Sequence, residues 1–374
     1  MKVFEVLPNS PKSRYHGRVS PFFYHPRMLS YDFGPRHPLK PERLRRAVEL
    51  LKAYGVQPTD PGPGTSQDAL RVHDPEYVEV VRRLSDREPL DTPVMREHGF
   101  GSVDNPVFSG MYEASLAYTS GSARAAEAVR DGEPLAFGLA GGLHHAHRDR
   151  ASGFCIFNDA AVAIDILKER FRRVAYVDID VHHGDGVQWL FYDDPDVLTC
   201  SIHESPRSLF PGTGDVHETG AALSALNVPL EAGTTGDTWL WAFKEAVIPT
   251  MESFRPEAVV LQMGTDPHYL DPLAHLRVAA QEWLEAVKLV KDLGLPMVAV
   301  GGGGYEITCV PRMWCAAVLG LMGIPFEDRV ASTHAEEWRM PTFFDHQLPQ
   351  PRGLGRDEAE QVVSIVRSRL KAVA

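Results

Sequence analysis

Short apolar runs alternate with longer amphipathic segments through most of the chain. Residues 174–177 form one such run, and similar runs open the stretches VLTCSIH, AVVLQMGTD and PMVAVGGGGYE. Runs that are apolar without alternation are typical of strands buried on both faces of a parallel sheet. Because segments of helical periodicity separate these runs, the pattern predicts βαβ units and an α/β fold.

The segments between the apolar runs repeat apolar residues at intervals of three and four, which predicts amphipathic helices packed on the sheet. Their predicted bounds are Pro41–Tyr54, Pro75–Leu84, Ala114–Arg130, Asp159–Arg170, Ala279–Leu293 and Asp357–Val373. No internal repeat interrupts this alternation. We expect one domain over the whole chain, 1–374, with its core at about 15–326 and a C-terminal appendage at about 327–374.

The stretch YVDIDVHHGDG, residues 176–186, ends one predicted strand with charged groups. Asp178, Asp180 and His182 lie at every second position, so their side chains point to one face of an extended chain. Burying two carboxylates and an imidazole is costly unless they are paired, hydrogen-bonded or bound to a metal. Other predicted strands also end in polar residues or glycines. Because the carboxyl ends of parallel strands share one edge of the sheet, we expect a single functional site there.

A metal site is one chemistry that these strand ends support. Asp180, His182 and Asp266 would supply one imidazole and two carboxylates, and a catalytic divalent ion typically takes about three protein ligands plus water. Such an ion makes its bound water more acidic, so the water becomes a nucleophile. Zinc is the expected ion, while Fe(II), Co and Mn suit the same ligands.

Two adjacent histidines, His144 and His145, follow another predicted strand within GGLHHAH. A histidine held by a carboxylate serves as general base and acid, and His145 with Asp185 and His144 with Asp178 fit that description. Tyr305, behind four glycines, could deliver its hydroxyl to an oxyanion. A single Asp or His at a strand end is more often structural, but the combined set favours metal-assisted amide hydrolysis. Five further histidines are interpreted as structural: His16, His25, His98, His147 and His217.

Several motifs, in one order along the chain, resemble the histone deacetylase superfamily and within it the bacterial acetoin-utilisation type. They are HPLKPERLRR, VDNPVFSGMYEAS, AGGLHHAHRDRASGFCIFND, YVDIDVHHGDGVQ, FPGTGD, LQMGTDPHYLDPLAHL and GGGGYE. The resemblance implies the arginase-deacetylase fold, a three-layer α/β/α arrangement with a mostly parallel sheet of about eight strands. It also implies a metal-dependent deacetylase acting on acetyl-lysine in proteins, and suggests an acyl-CoA synthetase as the target.

The same resemblance assigns roles to particular residues. The implied catalytic residues are His144, His145, Asp178, Asp185 and Tyr305, with His145 as general base and acid. The implied metal ligands are Asp180, His182 and Asp266. The implied substrate-binding residues are Gly153, Phe154 and Phe210 around a narrow tunnel, Leu273 near its mouth and Asp104 at its rim. The implied site for a structural K or Na ion comprises Asp178, Asp180, His182 and Ser201.

Composition and charge narrow the range of partners. The formal net charge of −12 at pH 7 argues against a nucleic-acid partner, since phosphate contacts need clustered Lys and Arg. The same charge tolerates a basic partner, such as a lysine-rich protein tail or a polyamine. The four cysteines show no CxxC spacing, and no apolar run approaches the roughly 18 residues that span a bilayer. We expect a cytoplasmic protein with an acetylated protein as partner and no membrane partner, in an oligomeric state that the sequence leaves open.

Three other functions fit parts of the pattern. An acetylpolyamine amidohydrolase would use the same chemistry on a small cation, although Leu84–Val107 is short for the rim loop of such enzymes. A ureohydrolase of the arginase kind needs two manganese ions, but His183 and Gly184 leave a second metal without carboxylate ligands. A non-catalytic reader of this fold should lack the tyrosine or a histidine, yet Tyr305 and both tandem histidines are present.

Overall fold

The computed structural model describes residues 20–330 and 332–373, so His16 and the first residues of the expected core lie outside the described residues. The strands are β1 (Leu135–Gly138), β2 (Val174–Asp178), β3 (Val197–Glu204), β4 (Ala225–Leu230), β5 (Ala258–Gln262) and β6 (Met297–Val300). They form one sheet in the spatial order β1-β6-β5-β2-β3-β4, and every neighbouring pair is parallel. The predicted parallel α/β architecture is confirmed.

The described residues form thirteen α-helices. They are α1 (Glu42–Ala53), α2 (Ser66–Ala69), α3 (Pro75–Ser85), α4 (Thr92–Glu97), α5 (Met111–Arg130), α6 (Asp159–Lys168), α7 (Asp185–Leu190), α8 (Gly236–Ala242), α9 (Ile248–Phe254), α10 (Ala280–Asp292), α11 (Val310–Met322), α12 (Ser332–Ala335) and α13 (Arg356–Val373). A π-helical segment, Phe243–Val247, joins α8 to α9. The six helices that the sequence predicted with both bounds are all present, with α5 beginning earlier than the sequence indicated.

Alternate side chains of β1, β2, β5 and β6 enter two separate cores. On β2, Ala175 and Val177 belong to the core shared with α1, α10 and α11, while Val174 and Tyr176 belong to the core shared with α5 and α6. Successive side chains of a strand point to opposite faces, so a strand covered on both faces must be apolar throughout. The sheet therefore lies between two helical layers, as expected for the arginase-deacetylase fold.

The number of strands differs from the expected eight, because the described residues contain six. Two further segments run beside the outer edge of β1 but pair with it or with each other at single residues. Phe22 forms an isolated parallel bridge with Phe137, and Phe23 forms another with Thr59. Pro21 precedes this segment and lacks the N–H that a longer ladder would need. The pairing therefore stops short of two regular strands.

Two elements were less visible in the sequence. The edge strand β4 has the sequence ALNVPL, in which Asn227 and Pro229 obscure the apolar run, and proline is tolerated in edge strands. In the predicted C-terminal appendage, Phe343, Val363 and Val366 are buried in the same core as α1 and α11. Among the described residues, no helix combines the length and apolar character needed to cross a membrane.

The order of the strands determines where a site can form. From β2 the chain moves to β3 and β4 on one side of the sheet, whereas β5 and β6 lie on the other side. Ligands of open parallel sheets bind beyond the carboxyl ends of the strands where the order reverses in this way. The segments that follow β1, β2, β5 and β6 carry the polar residues singled out in the sequence.

Candidate active site

Asp180, His182 and Asp266 converge beyond the carboxyl ends of β2 and β5. The Nδ1 of His182 lies 3.1 Å from Oδ1 of Asp180 and 3.2 Å from Oδ2 of Asp266. All three residues are buried, and one ligand atom from each lies within 4.8 Å of the other two. One imidazole and two carboxylates therefore meet at one point.

The protein holds the outer oxygen of each carboxylate. Oδ2 of Asp180 accepts hydrogen bonds from Nε2 of Gln262 and from the backbone N–H of Gly303, both at 2.8 Å. Oδ1 of Asp266 accepts a hydrogen bond from the backbone N–H of Val181 at 2.9 Å. These bonds turn Oδ1 of Asp180 and Oδ2 of Asp266 toward the imidazole.

The charge and the space at this point fit a divalent cation. Burial and the Asp180 carboxylate raise the pKa of Asp266 to about 7. Burial lowers the pKa of His182, but its hydrogen bonds to the two carboxylates outweigh that effect and raise the pKa to about 10. A cation between the ligands would relieve the carboxylate repulsion. A Cβ at position 303 would lie 2.1 Å from Oδ2 of Asp266, so glycine is needed to leave that oxygen accessible.

His144 and His145 follow β1 and face each other, with their Nε2 atoms 3.0 Å apart. Nδ1–H of His144 donates to Oδ2 of Asp178 at 2.7 Å, and Nδ1–H of His145 donates to Oδ1 of Asp185 at 2.7 Å. The structure thus brings together the two histidine–carboxylate pairs suggested by the sequence.

The two histidines have pKa values shifted in opposite directions. Burial lowers the pKa of His144, but Asp178 and Asp180 outweigh burial and raise it to about 9. Burial and the neighbouring His144 lower the pKa of His145 to about 3, against the opposing effect of Asp185. At neutral pH His144 therefore carries the positive charge, and His145 is neutral and able to accept a proton.

The loop that carries the tandem histidines is fixed from the first residues of α6. Nδ2 of Asn158 donates to the carbonyl oxygens of His144 and Ala146, at 3.2 and 2.9 Å. The Asp159 carboxylate accepts from two backbone N–H groups just before His144, at 2.8 and 2.9 Å. Buried backbone groups that are fully paired in this way hold both imidazoles in a defined position.

Tyr305 lies on the glycine loop after β6, which is anchored on both sides. Its backbone N–H donates to Oδ2 of Asp271 at 2.7 Å. The buried Arg43 guanidinium donates to the carbonyl oxygens of Gly302 and Gly304, at 2.8 and 3.0 Å. Burial, together with Asp266 and other nearby acidic groups, raises the pKa of Tyr305, so its hydroxyl stays protonated. One cavity is lined by Tyr305, His144, His145, Asp180 and Gly303, among other residues.

Gly153, Phe154 and Phe210 lie around the approach to these groups. The ring centroid of Phe210 is 5.0 Å from that of His145, and the Phe154 centroid is 5.7 Å from that of Tyr305, both edge to face. Gly153 has φ +49°, and a Cβ there would lie 2.4 Å from Cδ2 of His145 and 2.8 Å from Cε1 of Phe210. The residue implied for the tunnel wall at this position therefore has to be glycine.

The two rim residues are tied to the site through other groups. The carbonyl oxygen of Asp104 accepts from Nε2 of His37 at 3.2 Å, and the His37 ring lies 4.4 Å from the Phe154 ring. The side chain of Asp104 is exposed. The backbone N–H of Leu273 donates to Oδ1 of Asp271, the carboxylate that also holds Tyr305. Neither rim residue is among the described residues that line the cavity.

Ser201, assigned by resemblance to a structural K or Na site, is buried on β3 opposite Asp178. Its Oγ lies 2.8 Å from Nδ1 of His203. The structure therefore places Ser201 beside the strand end that carries the other three residues of that expected site.

Comparison with known proteins identifies the family of this chain. A model of the histone deacetylase domain matches residues 37–321. The chain belongs to the histone deacetylase family. It is accordingly a deacetylase, a hydrolase of acyl amides.

Relatives of this deacetylase include bacterial and eukaryotic proteins. It is 40% identical over 322 residues to the acetoin utilization protein AcuC of Bacillus subtilis, covering 82% of this chain and 83% of that one. It is 39% identical over 302 residues to histone deacetylase clr6 of Schizosaccharomyces pombe, covering 78% and 74%. A crystal structure of an HDAC homolog from Aquifex aeolicus superposes with a TM-score of 0.86 at 28% identity, covering 94% of this chain and all of that one. The predicted membership in the acetoin-utilisation type is confirmed.

Three residues of the deacetylase site were not singled out from the sequence: Gln262, Arg43 and Asp271. Gln262 and Asp271 lie inside the motif LQMGTDPHYLDPLAHL, and Arg43 lies inside HPLKPERLRR. Arg43 is 7% exposed, and a buried arginine is uncommon unless it is paired. The sequence does not show that Arg43 is buried, so it gave no reason to single this residue out. Each of the three acts on a partner far away in the sequence.

Proposed function

We propose that this deacetylase hydrolyses acetyl-lysine in proteins with the help of one zinc ion. The observation that carries the proposal is a single cavity lined by the neutral His145, the Asp180 carboxylate and the Tyr305 side chain. A base, a metal ligand and a hydroxyl donor at one point are the groups that metal-assisted amide hydrolysis requires.

Asp180, His182 and Asp266 would hold the ion. When bound there, a divalent cation would polarise the acyl carbonyl and acidify a water molecule. Zinc is the proposed ion, and one imidazole and two carboxylates suit it. The same donors also suit Fe(II), Co and Mn. We assign a structural K or Na ion to the neighbourhood of Ser201 and the end of β2 on the basis of the resemblance.

His145 would take the proton of the attacking water at Nε2 and pass it to the lysine nitrogen as the amide bond breaks. Asp185 accepts Nδ1–H of His145, so the lone pair stays on Nε2, which lies 3.0 Å from Nε2 of His144. The positive charge on His144, held by Asp178, would stabilise the negative charge that develops beside it. The Tyr305 hydroxyl, which stays protonated, would donate a hydrogen bond to the acyl oxygen.

The substrate would enter along its methylene chain. Gly153, Phe154 and Phe210 would surround the methylenes, with Leu273 near the mouth and the exposed Asp104 carboxylate binding the substrate backbone at the rim. An acyl-CoA synthetase is the proposed target, because the acetoin-utilisation type suggests it. We place this activity in the cytoplasm, since the four cysteines are free and buried.

The whole chain would act as one deacetylase domain, 1–374. The described part of the C-terminal segment supports this, because Phe343 and Val363 pack in the main core. Asp345 also binds the buried Arg312 of α11 at 2.6 Å.

An acetylpolyamine amidohydrolase is the second candidate function. The net charge of −12 and the exposed Asp104 favour a cationic substrate, as a polyamine would be. Turnover of acetylspermidine and of an acetyl-lysine peptide, measured side by side on the zinc-loaded protein, separates the two candidates. A higher kcat/KM on the peptide supports protein deacetylation, and a higher kcat/KM on acetylspermidine contradicts it.

A further inference from the structure

Asp185, the partner of the proposed general base, contacts a second imidazole. Oδ1 of Asp185 accepts from His145 at 2.7 Å, and Oδ2 lies 3.2 Å from Nε2 of His147. The Asp185 side chain is 6% exposed, whereas that of His147 is 14% exposed. The sequence had indicated a structural histidine at this position, because nothing in it shows that the loop folds back onto Asp185.

We propose that His147 is a positioning residue that acts on His145 through Asp185. This inference rests on the proposed function, in which His145 is the general base. A carboxylate held at one oxygen can rotate about its Cβ–Cγ bond, and such a rotation would tilt the His145 ring away from the reacting water. A donor on the other oxygen prevents it.

The surroundings of His147 make it a suitable anchor. Its backbone N–H donates to the carbonyl oxygen of Arg150 at 2.9 Å, and the preceding carbonyl, that of Ala146, accepts from Nδ2 of Asn158 at 2.9 Å. The charged side chains nearest in the chain belong to residues 148–150, all of which are exposed. The peptide unit that precedes the α-carbon of His147 is thus hydrogen-bonded at both its N–H and its carbonyl oxygen.

The electrostatics of Asp185 support the same assignment. Burial raises its pKa, but His145 and the hydrogen bond from His147 outweigh burial and hold the pKa well below its usual range. A buried carboxylate that stays ionised needs donors at both oxygens, because an unpaired charged oxygen costs desolvation energy. His147 supplies the donor that His145 cannot.

Two variants of His147 test the proposal by kinetics on an acetyl-lysine peptide. His147→Gln keeps an N–H donor and should retain kcat within about twofold, whereas His147→Leu removes the donor and should lower kcat about tenfold. KM and bound zinc should be unchanged in both, because His147 is not among the described residues that line the cavity and its polar partners include Asp185 and Arg150. A merely structural role would lower activity in both variants and would reduce bound zinc.

A double-mutant cycle shows whether the effect passes through Asp185. In the Asp185→Asn background, His147→Leu should change kcat less than about twofold, since the carboxylate it positions is gone. Equal effects of His147→Leu in both backgrounds would overturn the proposal.

One readout does not require turnover. The downfield proton NMR signal of Nδ1–H of His145, assigned by its loss in His145→Gln, should move in His147→Leu and stay in place in His147→Gln. An unchanged signal in His147→Leu would overturn the inference. A wild-type protein that turns over no acetyl-lysine peptide, but whose signal moves as described, would contradict the proposed function alone.

Discussion

Mild acid should destabilise this deacetylase through His73, a residue outside the cavity. His73 is 2% exposed, and its Nε2 accepts a hydrogen bond from the backbone N–H of Asn158 at 2.9 Å. Its Nδ1–H donates to the carbonyl oxygen of Arg148 at 3.2 Å. Burial lowers the pKa of His73 from 6.5 to about 4. Because Asn158 also holds the tandem-histidine loop, protonation of His73 would break a bond next to the active site.

The sign and size of the effect follow from the two pKa values. The folded pKa is lower than the unfolded one, so the stabilisation by neutral His73 is complete above pH 6.5 and is lost as the pH falls toward 4. The full difference corresponds to about 3 kcal/mol in the free energy of unfolding, and about 2 kcal/mol of it is lost by pH 5.

Urea unfolding of metal-free protein at pH 7 and pH 5, followed by tryptophan fluorescence, measures this loss. His73→Gln keeps an acceptor and a donor but does not titrate, so the wild type should lose about 2 kcal/mol more than this variant between the two pH values. His217→Gln, at an exposed histidine, is the matched control and should behave as the wild type does. Equal losses in wild type and His73→Gln would show that His73 is not the cause of the acid sensitivity.

Two further predictions concern the ligands and the tunnel wall. Asp266→Asn should weaken zinc binding at least about tenfold in a competition titration, because it removes one of the two proposed carboxylate ligands; unchanged affinity would place the metal elsewhere. Gly153→Ala should lower kcat about tenfold or more while bound zinc per chain stays constant, because the added Cβ would lie 2.4 Å from Cδ2 of His145. Wild-type kcat in Gly153→Ala would show that the tunnel wall accommodates the added methyl group without displacing His145.

Local pattern was sufficient for most of the fold. The apolar run at Val174–Asp178 and the periodicity of α1 and α10 reflect burial on both faces of a strand or one face of a helix, and each can be seen within a few residues. The β4 strand and the single bridges at Phe22 and Phe23 depend on pairing with distant segments. Their proline and asparagine residues conceal that pairing.

The active site also combines residues that local pattern indicates with residues that depend on distant contacts. The alternation of Asp178, Asp180 and His182 at a strand end indicates their convergence, because parallel strands share a carboxyl edge. Contacts such as Gln262 to Asp180 or Asp185 to His147 depend on how loops fold across that edge. No local spacing specifies these contacts. In the sequence alone, Gln262 and His147 therefore could not be distinguished from structural residues.

The proposed function requires the Tyr305 hydroxyl and one bound zinc ion to act together on an acetyl-lysine amide. Acetate release from an acetyl-lysine peptide by protein loaded with one equivalent of zinc tests it most directly. Three proteins should be compared: the wild type, Tyr305→Phe and, as a matched control, Tyr269→Phe, whose hydroxyl bonds the carbonyl oxygen of Gln347.

The proposed function predicts acetate release by the wild type and by Tyr269→Phe, and a loss of about a hundredfold or more in kcat for Tyr305→Phe with bound zinc unchanged. Acetate release by Tyr305→Phe at the wild-type rate, or none by the zinc-loaded wild type, would contradict it.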